Sequence, residues 1–370
     1  MEVRINREAF LSGMQKTQGI VEAKGAMPIL AHVFLSAKDE EICIQATDLE
    51  IGSKAYYAAN VVKPGSATMN ARKLFDIVRE LPDNQEIHLI KEENNWVTIK
   101  CGKSKFRLPG MPPEDFPALP EYSDQALMEF SASMLREMVK KTSFAISPDE
   151  TRQALNGLLL ERDDGSAVMV GTDGHRLSMI ARPLLNPQSD SQDKQSFLLP
   201  RKAVAELLKQ IDSEEGTLSF SEKGSHIAFF HGKQVVVSRK IEGKFPNYKQ
   251  VIPADNNIQI QINRNELQHA LKRVALLADE KSKMVRFEIR DNTMTLISDN
   301  TEMGAAREEL TIDYSGEEIF VGLNARYILD VLNVVDEETV TLNLKDQNHS
   351  CLITMDSDKN YQSIVMPMRL

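Results

Sequence analysis

Apolar residues recur at every third or fourth position in six stretches of the chain: 7–17, 71–80, 131–147, 201–210, 264–283 and 325–333. That spacing predicts amphipathic helices. Elsewhere the pattern changes to alternation or to short apolar runs of strand length, as at 217–220, 226–231, 235–239, 338–344 and 350–355. Turn signals divide these strands: Asp163-Asp164-Gly165, Glu222-Lys223-Gly224 and Asp291-Asn292. Asn6, Ser131 and Asn263 each stand just before a longer helical stretch, as N-caps should, and the spacing gives those helices about four turns.

The elements come in one order, three times over. The segments 69–78, 199–208 and 323–332 each start a short helix with an Arg (Arg72, Arg201, Arg326) and place an acid four or five residues later. Thr47-Asp48, Thr172-Asp173 and Ser298-Asp299 recur at a similar step, each after an alternating run. The repeat is the size of a whole domain, so the chain reads as three tandem copies of one α+β domain. Proline clusters at 109–120 and 246–253 mark the joins, which gives domains over 1–122, 128–252 and 253–370. Tandem copies with unlike ends suggest an arc that closes head to tail with a second chain.

Charge adds a candidate partner. The 370 residues carry a net −10, yet the helical stretches are net positive and the remainder is strongly acidic. Cations gathered on helices point to phosphates, bound without regard to base sequence. Amphipathic helices also carry Lys and Arg simply as solvated faces, so charge alone leaves both readings open. Cys43, Cys101 and Cys351 lie far apart with no CxxC spacing, which predicts buried reduced thiols and neither a metal site nor a disulfide framework. No apolar run approaches the ~18 residues of a membrane span, and the start, Met1-Glu2-Val3-Arg4-Ile5, lacks the core of a signal peptide. The expected location is the cytoplasm.

Catalysis finds little support. Asp173 and His175 could pass for an acid–base pair, but Asp48 and Asp299 hold the same repeat position with no His two residues on. The Asp is most simply a turn residue of every repeat. No HExxH, no GxSxG and no Gly-rich phosphate loop is present. The chain is expected to be a non-enzyme without cofactors.

Gly171-Thr-Asp-Gly-His-Arg-Leu177, Phe245-Pro-Asn-Tyr248 and Val365-Met-Pro-Met-Arg-Leu370 closely resemble the bacterial DNA polymerase III β subunit, the sliding clamps. Pro28-Ile-Leu30 and Leu155-Asn-Gly157 match as well, and the resemblance runs the length of the chain. It implies the DNA clamp fold: a ring of two chains around duplex DNA, helices lining the hole and sheets forming the outer shell. It implies DNA contact by Lys24, Arg72 and Arg152, to which helix position adds Arg201 and Lys202. It implies a cleft for short client peptides with a Gln and bulky apolar residues. The cleft would be built from Leu155, Thr172, Gly174, His175, Arg176, Leu177, Pro246, Gln250, Val251 and Ser350, completed by Ile364, Val365, Met366, Pro367, Met368 and Arg369. Gln250 stands where relatives often place Arg. The implied clients are the replicative polymerase, the clamp loader, and mismatch-repair, ligase and translesion-polymerase proteins.

Ring closure needs two unlike edges. One is Lys103, Lys105, Phe106, Arg107 and Leu108; the other is Leu276 and Leu277 with Glu302 and Glu308 nearby. The acidic run of the second edge is interrupted by Met303-Gly-Ala-Ala-Arg307, which shifts weight onto the apolar residues. The competing class is a protein-interaction scaffold that does not encircle DNA.

Overall fold

The computed structural model describes residues 1–22, 25–123, 125–187, 194–211, 215–301 and 304–370. Lys24 and Glu302 lie outside the described residues. Six α-helices are present among the described residues: α1 Arg7–Thr17, α2 Ala71–Glu80, α3 Ala132–Ser143, α4 Arg201–Gln210, α5 Arg264–Val274 and α6 Ala325–Leu332. None of the helices is long and apolar enough to cross a membrane.

The expected N-caps form. Asn6 Oδ1 accepts from the amide of Ala9 at 3.1 Å, Ser131 Oγ from that of Met134 at 3.2 Å, and Asn263 Oδ1 from those of Asn265 and Glu266. The longer helices run about three turns rather than the four their apolar spacing predicts. In the last turn of α3 the Thr142 hydroxyl donates to the Met138 carbonyl, and beyond it Ala145 and Ile146 turn back by three-residue bonds to Thr142 and Ser143 before Pro148. Beyond α5 the chain tightens into the 3₁₀ turn Ala275–Leu277, and Asp279 then takes the amides of Lys281 and Ser282. In both places the side chains and tight turns capture backbone groups that a longer helix would need.

Packing divides the chain into two compact units, Met1–Arg136 with Lys202–Lys240, and Glu137–Arg201 with Ile241–Leu370. The cut passes through the middle repeat, because sheets pair across repeats. In the first unit an eight-stranded antiparallel sheet runs Met128–Ser131, Thr217–Lys223, His226–His231, Gln234–Arg239, Ile51–Ala58, Glu41–Thr47, His32–Lys38, Gly65–Asn70. First and middle repeats meet where Val236 pairs with Ser53. A five-stranded sheet completes the unit: Asn60–Lys63, Glu2–Asn6, Glu86–Lys91, Val97–Cys101, Ser104–Leu108. Helices α1 and α2 pack on this framework through Phe10, Met14, Leu74 and Val78, all fully buried.

In the second unit the eight-stranded sheet runs Gln195–Pro200, Gly157–Asp163, Ser166–Thr172, Arg176–Pro183, Tyr361–Val365, Cys351–Thr354, Thr339–Leu344, Ile258–Asn263. Here the middle and last repeats meet, Leu177 opposite Ile364. The four-stranded sheet is Gly304–Thr311, Thr293–Asn300, Met284–Arg290, Ile319–Asn324. The hairpins use the turns that the sequence announces: Asp164 and Gly165, and Asp291 and Asn292, all take positive φ, as a two-residue reversal of right-handed twist requires. The three cysteines are buried in strands, and burial pushes the thiols up, Cys43 to about 11 and Cys351 to about 12.

A half-buried charge cluster, with Lys141 buried at its centre, fastens α3 to the sheet of the second unit. Lys141 Nζ lies 2.8 Å from Glu137 and 3.2 Å from Asp358; Arg182 reaches the same two carboxylates at 2.7 and 2.5 Å. Burial works against the charge on Asp358 and Glu137, but the hydrogen bonds from Arg182 and Lys141 outweigh it and hold both carboxyls below their ordinary values. A depressed carboxyl contributes stability above its unfolded value of about 4, lost as pH falls through the lower folded value. Asp358→Asn strands two cations against one acid and is expected to cost about 3 kcal/mol at neutral pH. Urea unfolding at pH 7 and at pH 3 checks this: the gap between variant and wild type should narrow at the lower pH, and a gap independent of pH contradicts it.

Candidate functional site

An apolar cavity of about 170 Å³ opens in the second unit, lined by Arg152, Leu155, Thr172, Gly174, Arg176, Leu177, Pro246, Tyr248, Val251, Ile364 and Met366. Its floor is the core itself, since Leu155, Leu177, Tyr248 and Ile364 belong to the same buried cluster as Leu159, Val170 and Phe245. Leu177 and Ile364 face one another across the ladder that joins two repeats. The ladder is prolonged by the Met366 amide, which donates to His175 O at 2.9 Å and brings the Met366 side chain over the mouth.

The Thr172-to-Leu177 turn is locked by its own side chains. The Asp173 carboxylate accepts the amides of His175 and Arg176 at 2.9 and 3.0 Å, and Thr172 Oγ1 accepts the amide of Gly174. Gly174 has φ +90, and an added Cβ there would meet the Arg152 guanidinium at 3.3 Å. The first repeat builds the same turn: Asp48 accepts the amides of Glu50 and Ile51, and Thr47 Oγ1 that of Leu49, which takes φ +79. Asp173 is therefore engaged as a turn residue, with no free carboxylate to act on His175. Ser298-Asp299 differs, remaining within the strand Thr293–Asn300.

Arg176 lines the cavity wall while its guanidinium is engaged elsewhere. It reaches Asp173 at 3.1 Å, Asp330 at 2.5 Å and the Phe144 carbonyl at 2.5 Å, and stacks 4.5 Å from the Tyr327 ring. It ties the turn to α6 and offers a ligand its stem rather than its charge. Arg152, expected on the DNA side, donates from Nη1 to Asp173 O at 2.7 Å and stands at the cavity rim. Tyr248 closes the Phe245-Pro-Asn-Tyr248 motif, within the 246–251 stretch expected at the cleft. It lies in the cavity lining, its hydroxyl donating to Glu161 at 2.7 Å, and burial and that carboxylate raise its pKa.

Other expected cleft residues fall outside this cavity. Val365 is fully buried beside Ile364, where strand alternation turns it to the opposite face. Gln250 is exposed on the 3₁₀ turn Tyr248–Gln250, and Ser350 uses its carbonyl to accept from Asn256. His175 contributes its carbonyl. Pro367, Met368 and Arg369 line a neighbouring open depression with Gln347, Asn348 and Leu370.

The helix cations divide into two groups. Arg7 donates to the carbonyls of Val78 and Arg79 at the end of α2, and Arg264 to those of Leu332 and Glu337 beyond α6. These, with the Lys141 of the charge cluster, belong to internal packing, so part of the positive helix charge in the sequence never reaches solvent. The second group is exposed: Arg72, Arg201, Lys202 and Arg326 sit in the first turns of α2, α4 and α6, which carry no acid there. A cation at a helix N-terminus opposes the helix dipole and costs stability. The same arrangement, a positive side chain beside the positive end of a helix dipole, attracts a phosphate. Lys202 is ion-paired with Asp48.

The two edges expected to close the ring are Ser104–Leu108 and Gly304–Thr311, each the outermost strand of its sheet. On Ser104–Leu108, Phe106 opposite Ile99 carries the core face to the rim and is 38% exposed. Lys103 and Lys105 are exposed, Leu108 packs partly on the core, and Arg107 is held by Glu92 and stacks 4.4 Å from Trp96. By the edge strand Gly304–Thr311, Leu276 is 73% exposed and Leu277 half-buried. Glu308 is already bridged to Arg273 at 2.6 Å. Arg107 and Glu308 thus have partners within the chain, which leaves Phe106 and Leu276 as the conspicuous uncovered groups of the two edges.

Comparison with known proteins agrees along the entire chain. Family profiles for the DNA polymerase III beta subunit match its N-terminal domain at residues 1–120, its central domain at 129–247 and its C-terminal domain at 249–369. The chain is 33% identical to the beta sliding clamp of Pseudomonas aeruginosa and 31% identical to that of Escherichia coli K12, each over 100% of both chains. Its fold is similar to the crystal structure of the DNA polymerase III subunit beta from Pseudomonas aeruginosa, with a TM-score of 0.93, 34% identity and 100% of both chains covered.

Proposed function

The chain belongs to the DNA polymerase III beta subunit family, and from that premise we propose how its own residues perform the work of a sliding clamp. It is a DNA-encircling processivity factor and not an enzyme. Two chains form a ring around duplex DNA, and the ring tethers the replicative polymerase and recruits the loader and repair proteins. The three domains are read as 1–122, 128–252 and 253–370, and the work on chromosomal DNA as cytoplasmic.

A clamp must hold DNA without stopping on it. Base-edge hydrogen bonds would make traps, whereas phosphates offer the same acceptor at every step. Arg72, Arg201, Lys202 and Arg326, together with Lys24, supply phosphate contacts from the helix side. The observation that carries this assignment is the set of exposed cations in the first turns of α2, α4 and α6, where the dipole disfavours them. Lys202 must exchange Asp48 for a phosphate, so its contact contributes less than that of Arg72 or Arg201. Arg152 is assigned to the rim of the peptide cleft.

The cavity around Leu177, Val251, Ile364 and Met366 takes a bulky apolar residue of a client peptide, and the neighbouring depression beside Met368 takes the polar part. Met366 and Met368 are flexible and polarizable, which suits one site serving many clients. Burying one such residue contributes roughly 1.5–3 kcal/mol, so two anchors less ordering costs give exchangeable binding, micromolar in order of magnitude.

Charge reversal tests the DNA-facing set. Arg72→Glu, Arg201→Glu and Lys202→Glu together change six cations in a ring of two chains and should reduce the slope of log affinity against log salt by about 5, since each phosphate contact contributes about 0.9. Peptide binding should remain at the wild-type level. An unchanged salt slope contradicts the assignment.

A further inference from the structure

The last residues of the chain are held by two sheets at once. The Met366 amide donates to His175 O on the eight-stranded sheet, and two residues later the Met368 amide donates to Gly322 O at 2.8 Å. Gly322 lies on Ile319–Asn324, the edge strand of the four-stranded sheet, opposite Arg286 on its inner side. Its outer side carries an isolated antiparallel bridge to Met368. The terminal segment is therefore fixed at both ends of the stretch that presents Met366 to the cavity and Pro367 and Met368 to the neighbouring depression.

Glycine within a strand gives up side-chain packing and weakens the strand, and a close backbone approach is one reason for it to stand there. Here the approach is explicit. A Cβ on Gly322 would lie 2.9 Å from the Met368 carbonyl oxygen, 3.1 Å from Leu370 Cδ2 and 3.4 Å from Met284 Sδ. The two side chains can move aside, but a backbone oxygen moves only with the segment that bears it. Gly322 has no positive φ, so the demand is for space and not for an unusual conformation. It takes no part in lining the cavity.

We infer that Gly322 is a positioning residue for client-peptide recognition: its missing side chain lets the terminal segment seat on the sheet edge, and that seating places Met366 and Met368 over the cleft. The inference rests on the reading of the cavity as the peptide site. A side chain at 322 would lift the segment and leave the pocket floor of Leu155, Leu177 and Ile364 intact but its wall displaced.

The test uses the full-length chain, with Gly322→Val and Gly322→Ala beside wild type. Three quantities are read: affinity for a fluorescent peptide with a Gln and two bulky apolar residues, hydrogen exchange at the Met368 amide, and mass by light scattering. Val should weaken the peptide about ten-fold or more through lost preorganisation, and Ala less. The Met368 amide should exchange faster in both, with mass unchanged. Peptide affinity in Gly322→Val equal to that of a wild-type chain that does bind overturns the inference and leaves the pocket reading standing. A wild-type chain that fails to bind the peptide overturns the pocket reading and the inference with it. Should valine prevent folding, alanine decides by the same readouts: weaker binding with faster exchange supports the inference, and unchanged binding overturns it.

Discussion

Removal of residues 366–370 is expected to abolish client-peptide binding while leaving dimer mass and DNA retention intact. The segment supplies Met366 to the cavity lining and Pro367 to Leu370 to the neighbouring depression, so both places a client would touch lose a wall. The floor survives, because Leu177 and Ile364 are paired on strands that end before the cut. A bulky client residue would then rest on an open apolar shelf rather than in a pocket. Losing the burial of even one and a half such residues costs about 3–4 kcal/mol, a factor of several hundred in affinity. None of the exposed cations of α2, α4 and α6, and neither of the edges Ser104–Leu108 and Gly304–Thr311, includes the segment. Fluorescence anisotropy with a clamp-motif peptide measures the loss. A truncated chain that binds with wild-type affinity places the peptide site elsewhere.

The second large effect concerns ring closure. Phe106→Ala with Leu276→Ala should turn the dimer into a monomer. Both side chains are uncovered in the single chain, 38% and 73% exposed, beside sheet edges with unpaired backbone groups. Exposed edges of that kind invite a partner strand. A head-to-tail ring of two has two identical interfaces, each with one Phe106 and one Leu276. At about 2 kcal/mol for each buried anchor, the double variant loses about 8 kcal/mol, close to six decades in the dimer constant. Ion pairing adds less here, because Arg107 is engaged by Glu92 and Glu308 by Arg273. Sedimentation at nanomolar concentration reads the result, and a variant that stays at twice the chain mass there contradicts the proposed edges.

Much of this was legible in the sequence because it is periodic. Helical spacing located the six helices of the described residues, Asn6, Ser131 and Asn263 marked the starts of the three longer ones, and Asp-Gly and Asp-Asn marked two of the hairpins. Helix ends were less visible: the apolar spacing past Ser143 and Val274 continues, but the three-residue bonds of Ala145 and Ile146 and the Asp279 carboxylate divert the backbone hydrogen bonds. The packing units were hidden for a different reason. Repeats are read along the chain, whereas the pairings of Val236 with Ser53 and of Leu177 with Ile364 join strands of different repeats. The apolar half of the cleft, Leu155, Leu177, Val251, Ile364 and Met366, could be named from motifs. Thr172 and Arg176 are named there too, but Arg152 is placed with DNA and the engagement of Arg176 with Asp173 and Asp330 is not foreseen, because sequence does not give a guanidinium's direction. Net helix charge overstated the surface for the same reason: Arg7 and Arg264 look like solvated cations in the sequence and close helix ends in the fold.

The central claim is topological, that the protein holds DNA by surrounding it. Its most direct test is retention of the loaded wild-type protein on a nicked circular duplex, followed through gel filtration before and after the circle is cut once. The account predicts that the protein stays with the circle at salt concentrations that remove ordinary phosphate contacts, and leaves within the same run once the DNA is linear. Equal retention on circle and line, or none on either, contradicts it.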